Sequence, residues 1–398
     1  MANPLLEQHD LPPFSRIEAR HAEPAISQLI ERNKQAIESL LDQGPPYNWD
    51  NLLAPIEELE DGLAQAFSPV SHINSVCNNE AIRDAYNACL PLLSEYGTWM
   101  GQHSRLCEAY QQLADSEQFT SLAPARRKTI ENALRDFRLA GVSLPPEQKA
   151  RYGELRKRLS ELGSKFGENV LDATNAWSRR ASLEELQGLP ETALANARQA
   201  AQQAGFDDYL INLEFPSYSP VLSYCENRAL REEIYTANCT RASELGPHAG
   251  QWDNADLITE TLDLRRQLAQ LLGFNDYAEL SLATKMAETP ESVIGFLEQL
   301  AEQSAEQAQQ EWRELEDFAR EEHGIDSLAA WDVSFFSEKL RQQRYQVSQE
   351  DFRPYLPVSR VLPGLFEVVH RLYGLEVTEV RDFDSYHPDA QLFEVLQD

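Results

Sequence analysis

The feature that most constrains this chain is helical spacing sustained over long segments. Across 289–323, Val293, Phe296, Leu297, Leu300, Trp312, Leu315 and Phe318 fall on one helical face. A 3.6-residue repeat suits a helix and not a strand, whose faces alternate every two residues. Thr289 and Pro290 provide an N-cap and a first-turn proline, and Gly324 provides the stop. Segment 24–43 repeats the pattern with Ile26, Leu29, Ile30, Ile37, Leu40 and Leu41, before Gly44-Pro45-Pro46 ends it. Segment 145–176 does so with Leu155, Leu159, Leu162 and Phe166. Residues 265–286 read as helix, stop and helix. Leu268, Leu271 and Leu272 form one face, Gly273 stops it, and Tyr277, Leu280 and Met286 begin the next. The spacing predicts a mainly α fold.

Loops are expected at 44–48, 117–124, 141–147, 186–190, 214–220 and 246–253, where Pro, Gly, Ser and Asp gather. GVSLPPE (141–147) is the first candidate boundary and FPSYSP (215–220) the second. The division this predicts is a helical N-terminal domain over 1–145, a helical continuation over 146–220, and a third region over 221–398. YLINLEF (209–215) reads as a short strand. The chain then changes character. Leu375–Val377 and Leu392–Val395 alternate as strands do, so the last residues predict one or two short strands after a helical body. A lone hairpin is marginal in water and an open apolar edge invites association. The expectation is that partner strands are missing.

Composition narrows function. The 42% hydrophobic content and 17 glycines permit a packed core. The net charge of −30 disfavours nucleic acid and anionic membranes, which need clustered positive charge. Cys77, Cys89, Cys107, Cys225 and Cys239 are odd in number and widely spaced, which suits reduced thiols and the cytoplasm. The N-terminal MANPLLEQHDLPPF has no apolar run of signal-peptide type, and no stretch approaches the ~18 apolar residues of a membrane span.

Candidate chemistry is sparse. A catalytic zinc takes three protein ligands and keeps a position open, and helical histidine ligands pair at i, i+4. None of the eight histidines has such a partner. His103 and Cys107 stand four apart on an expected helix, where a shared metal competes with ordinary packing. Glu367 and His370 form E-x-x-H, as in di-iron bundles, and the second copy is Glu18 and His21 in a Pro-flanked segment. Glu321, Glu322 and His323 close a helix, where an imidazole near the last carbonyls is ordinary capping. Tyr218, Tyr224 and Tyr235 either line a channel or pack helices, with packing the stronger reading. No G-x-S-x-G, P-loop or Rossmann glycine pattern occurs. No residue is assigned as catalytic or metal-binding, and substrate-binding residues stay open.

The wording of the chain resembles a known group. RRQLAQLLGFNDYAELSLATKM (265–286), DLPPFSRIEARHAEPAI (10–26), LPLLSEYGTWMGQH (90–103), RYGELRKRLSELGSKFGENVLDAT (151–174), FPSYSPVLSYCENRALREEIY (215–235) and WDVSFFSEKLRQQRY (331–345) are similar, in order, to the thimet-oligopeptidase family of zinc metallopeptidases. Ala19-Arg20-His21 stands where that family has Pro-Glu-His. The resemblance implies a helical wall of a deep channel that admits short unstructured peptides, cleaved signal peptides among them. It implies that 221–398 begins a zincin-like peptidase domain. It also implies zinc, a Lewis acid held by an H-E-x-x-H helix, and no such motif occurs in these 398 residues. The expectation is a chain truncated before the zinc helix, binding no zinc and inactive alone. The alternative is a non-catalytic helical protein that binds peptides or a partner.

Overall fold

The computed structural model describes residues 3–397, and it is mainly α, as the spacing predicts. The chain runs through α1 (Ala19–Asp42), α2 (Ala54–Val76), α3 (Glu80–Gly101), α4 (Ser104–Ala114), α5 (Glu117–Ser121), α6 (Pro124–Leu139) and α7 (Pro146–Ala176). It continues through β1 (Ser178–Ala181), α8 (Glu191–Gln203), β2 (Tyr209–Asn212), α9 (Phe215–Tyr224), α10 (Arg228–Cys239), α11 (Ala255–Leu271) and α12 (Tyr277–Leu282). Then come α13 (Pro290–His323), α14 (Val333–Tyr345), α15 (Gln349–Phe352), α16 (Val358–Tyr373), β3 (Leu375–Val380) and β4 (Leu392–Gln397). Both sheets are antiparallel pairs, with Arg179 opposite Ile211 and Val377 opposite Val395.

Two compact units result. One holds the chain through Ser164, Thr261–Leu280 and the residues from Tyr373 on; the other holds Lys165–Glu260 and Ser281–Leu372. The chain crosses between them inside helices, not at loops.

In the first unit, α1 buries Ala22, Ala25, Ile26, Leu29, Ile30, Asn33, Ile37 and Leu41, the face its spacing predicts. It starts earlier than expected, at Ala19. A capping box between Glu18 and His21 secures the first turn, so Pro24 loses only one backbone bond in the second turn. Two apolar clusters follow. Ile37, Leu52, Leu53, Leu106, Leu113 and Ile130 centre the first. Ile26, Leu29, Leu63, Val70, Cys89 and Tyr96 centre the second. The β3–β4 loop is clasped by the N-terminal segment. Asp384 accepts from the Ser15 N–H and hydroxyl at 3.0 and 2.8 Å, and Tyr386 meets Phe14 and His72 edge-on.

A polar seam crosses the second cluster. Tyr96 donates to Glu60, and buried Asn33 donates to the Leu59 carbonyl at 2.8 Å. Burial pushes the Glu60 carboxyl up from 4.5, against the Tyr96 hydrogen bond, and Glu57 adds to the rise. The folded state therefore binds more protons than the unfolded one between 4.5 and the raised value. The contribution of Glu60 to stability is fullest below 4.5 and declines as pH rises through that window. Glu60→Gln should flatten the decline, read as denaturation midpoints of both proteins from pH 4 to 7.

The second unit packs Trp177, Leu186, Ile211, Leu213, Val221, Cys225, Leu230 and Ile234 into one cluster. A smaller one joins α13 to α14 through Leu315, Ala319, Phe335 and Phe336. Thr289 caps α13 through the Ser292 N–H at 3.2 Å, and Gly324 ends it at φ 67°.

Four local expectations change. The loop expected at 214–220 is helical. Pro216 sits in the first turn of α9, where its missing N–H costs nothing, and burial of Val221 holds the helix past Pro220. The loop expected at 117–124 contains α5. Met286 lies beyond α12 and is fully exposed, so it begins no packed face. The strand expected at 209–215 is β2, which ends at Asn212, and its partner β1 was not anticipated.

Candidate functional site

The best-defined constellation in the second unit is an ion-pair knot. Arg228 and Arg231 stand one turn apart on α10, and both reach Asp332 at the entry to α14. Arg228 donates through Nε and Nη2 at 3.1 and 2.7 Å; Arg231 donates through Nη2 at 2.8 Å. The Ala329 N–H donates to the same carboxylate at 3.0 Å. Arg231 is only 2% exposed and Asp332 is fully buried. Other Arg231 protons go to the carbonyls of Cys225 at 2.7 Å, Trp331 at 3.3 Å and Glu226 at 3.4 Å, and its guanidinium lies 4.0 Å from the Phe335 ring. Burial alone would raise the Asp332 carboxyl; the bonds from Arg228, Ala329 and Arg231 outweigh it and hold the group below 3.8.

The knot ties the entry of α14 to α10, the cluster of Leu315, Ala319, Phe335 and Phe336 holds α14 on α13, and these two helices frame a groove of about 550 Å³. Trp312, Leu315 and Leu340 line it together with Glu311, Glu314, Arg341, Arg344 and Tyr345. Arg344 pairs with Glu314 at 2.8 Å, which lowers the Glu314 carboxyl. Arg341 pairs with the buried Glu338 at 2.8 Å. Nothing in the spacing signalled this groove, because it forms between helices whose contact is non-local. A second cavity, of about 620 Å³, lies against the N-terminal segment, α1 and α2. It gathers Glu7, Asp10, Glu58 and Asp61 around His9 and Arg32 without an arranged nucleophile and base.

The residues singled out from sequence go elsewhere. His103 and Cys107 both belong to the start of α4, where the Cys107 N–H donates to the His103 carbonyl at 3.0 Å and the His103 ring is taken up by the cap. His103 is the N-cap of α4: its Nδ1 accepts from the Leu106 N–H at 3.1 Å and its Nε2 meets Glu38 at 2.8 Å. In the neutral ring this places the proton on Nε2. His21 is spent on the α1 cap, and Glu367 pairs with Arg371 along α16 at 2.7 Å. His323 ends α13 and packs on Phe318 and Phe336, at 5.3 and 5.2 Å. Tyr218 meets Phe215 edge-on, and Tyr235 lies against Trp331. Burial, then Glu338, raises the Tyr224 phenol. Among the described residues no group of three or more His, Cys, Asp or Glu is gathered to hold a metal. No helix among the described residues is long and apolar enough to cross a membrane.

Comparison with known proteins defines the class. Residues 26–149 match the Neurolysin/Thimet oligopeptidase N-terminal domain, and residues 221–398 match Peptidase family M3. Both matches are to parts of M3-type oligopeptidases, and together they define the class that this chain resembles.

Within that class it is similar to oligopeptidase A. It is 48% identical over 399 residues to oligopeptidase A of Escherichia coli (strain K12), a match covering 100% of this chain and 59% of that protein. The corresponding values for oligopeptidase A of Haemophilus influenzae are 49%, 100% and 58%. For the probable cytosolic oligopeptidase A of Arabidopsis thaliana they are 34%, 94% and 54%. The chain thus spans roughly three-fifths of the length of these relatives.

Proposed function

We propose that this chain forms the non-catalytic part of a zinc-dependent oligopeptidase that hydrolyses short peptides, cleaved signal peptides among them, and that it does not hydrolyse them alone. One pairing of observations carries the reading. Similarity to oligopeptidase A runs along the whole chain, yet the sequence has no H-E-x-x-H and the described donors make no metal cluster. The contribution of this chain's residues is scaffolding. The knot of Arg228, Arg231 and Asp332 ties the entry of α14 to α10, and the groove between α13 and α14 offers apolar side chains beside charged ones to a peptide.

The charge of −30 supports peptides over nucleic acid or an anionic membrane as partners. Five free cysteines and the cytosolic designation of the Arabidopsis relative support a reducing cytoplasm. The reading as a self-sufficient binding module is the weaker one, because α16 leaves an apolar row open to solvent.

The test is direct. The purified 398-residue chain is incubated with an internally quenched peptide, with and without added zinc. No turnover above buffer is expected in either case. Chelator-sensitive hydrolysis that copurifies with the chain would refute inactivity.

A further inference from the structure

The helix α16 is amphipathic, but its apolar side is open. Arg360, Glu367, His370 and Arg371 share the polar side. Leu362, Phe366 and Val369 form one apolar row and are half-buried. The adjacent row is Val358, Val361, Leu365, Val368 and Leu372, and all five are exposed. Their steps of 3, 4, 3 and 4 residues are those of a seam between two packed helices. The contrast with α1 is direct: that helix buries Ile26, Leu29, Ile30, Ile37 and Leu41, whereas α16 buries nothing fully. A contiguous exposed row of this kind marks an interface.

We propose that the row from Val358 to Leu372 is the docking seam for an apolar helix belonging to the portion of an oligopeptidase A-like protein that this chain does not match. The proposal rests on the function proposed above and names the partner it needs. Three observations select this occupant. The 3-4 spacing calls for a helix. Roughly two-fifths of the relatives' length has no counterpart here, while the family match runs through α16. A face covered in the relatives by that portion would keep its apolar residues here and stand bare. Finally, a net charge of −30 opposes association with a second copy.

The experiment compares the chain alone with the chain joined to the portion of E. coli oligopeptidase A that it does not match. Amide hydrogen exchange is followed over 358–373, with 24–41 as an internal reference. Joining should slow exchange in α16 about tenfold or more and leave α1 unchanged, because opening of a helix tracks its packing. The double variant Leu365→Glu, Val368→Glu should melt like the parent when alone, yet lose the slowing when joined. Unchanged exchange in a joined protein that hydrolyses quenched peptide would overturn the seam and leave the oligopeptidase reading standing. Slowing without hydrolysis would uphold the seam and count against that reading. Protection already present in the chain alone, and rising with its concentration, would assign the row to a second copy and overturn the proposal.

Discussion

Replacing Asp332 with alanine should lower folding stability by about 3–5 kcal/mol, the usual cost of stranding one partner of a buried ion pair. The reason is Arg231. It is buried, it cannot lose its proton, and only neutral carbonyls, those of Cys225, Glu226 and Trp331, would be left to satisfy a full charge. Truncating the half-exposed Arg228 should cost about 1 kcal/mol or less, since Arg231 still neutralises Asp332 and water replaces the lost contact. Chemical denaturation of the two variants and the parent measures the difference. Equal losses would show that the knot does not rest on the buried pair. The pH dependence has the opposite sign to that of Glu60. The Asp332 carboxyl is held below 3.8, so its contribution is full above 3.8 and fades as pH falls through the lower folded value. The Asp332→Ala penalty should shrink accordingly on acidification.

Gly188→Ala is the second large effect expected. Gly188 has φ 95°, and a Cβ built there meets the Tyr224 carbonyl oxygen at 2.3 Å. Backbone strain contributes about 1–2 kcal/mol and overpacking about 1–3 kcal/mol. Together they should remove roughly 2–5 kcal/mol. Gly205 supplies the control: its φ is 81° and nothing lies within 4 Å of the added carbon. Gly205→Ala should therefore show the backbone part alone. Matching losses in the two variants would mean that the turn at Gly188 moves away from Tyr224 without cost.

Much of the fold was legible because its signals are local. Thr289, Pro290 and Gly324 mark both ends of α13 within a residue, and each acts on its own turn. The face of α1 could be read from spacing alone. The alternation at Leu375–Val377 and Leu392–Val395 located β3 and β4. The misses share a different cause. FPSYSP looks like a loop by composition, but burial of Val221 makes it helix. β1 reads Ser-Arg-Arg-Ala, which carries no strand propensity, and exists because β2 lies beside it. His103 stands four residues before Cys107, yet an N-cap turns its ring toward Glu38.

Sequence alone determined the mainly helical class, the ends of the long helices, the resemblance to M3 peptidases and the absence of the zinc motif, since spacing, capping and motif chemistry act over a few residues. Tertiary structure alone decided which charges became buried. Asp332 meets Arg228 and Arg231 across about a hundred positions, and the groove of Trp312, Leu315 and Leu340 forms only when α14 lies on α13. It also decided which apolar rows found cover. The patterns of α1 and α16 are alike in chemistry; only packing against other elements separates a buried face from an open one.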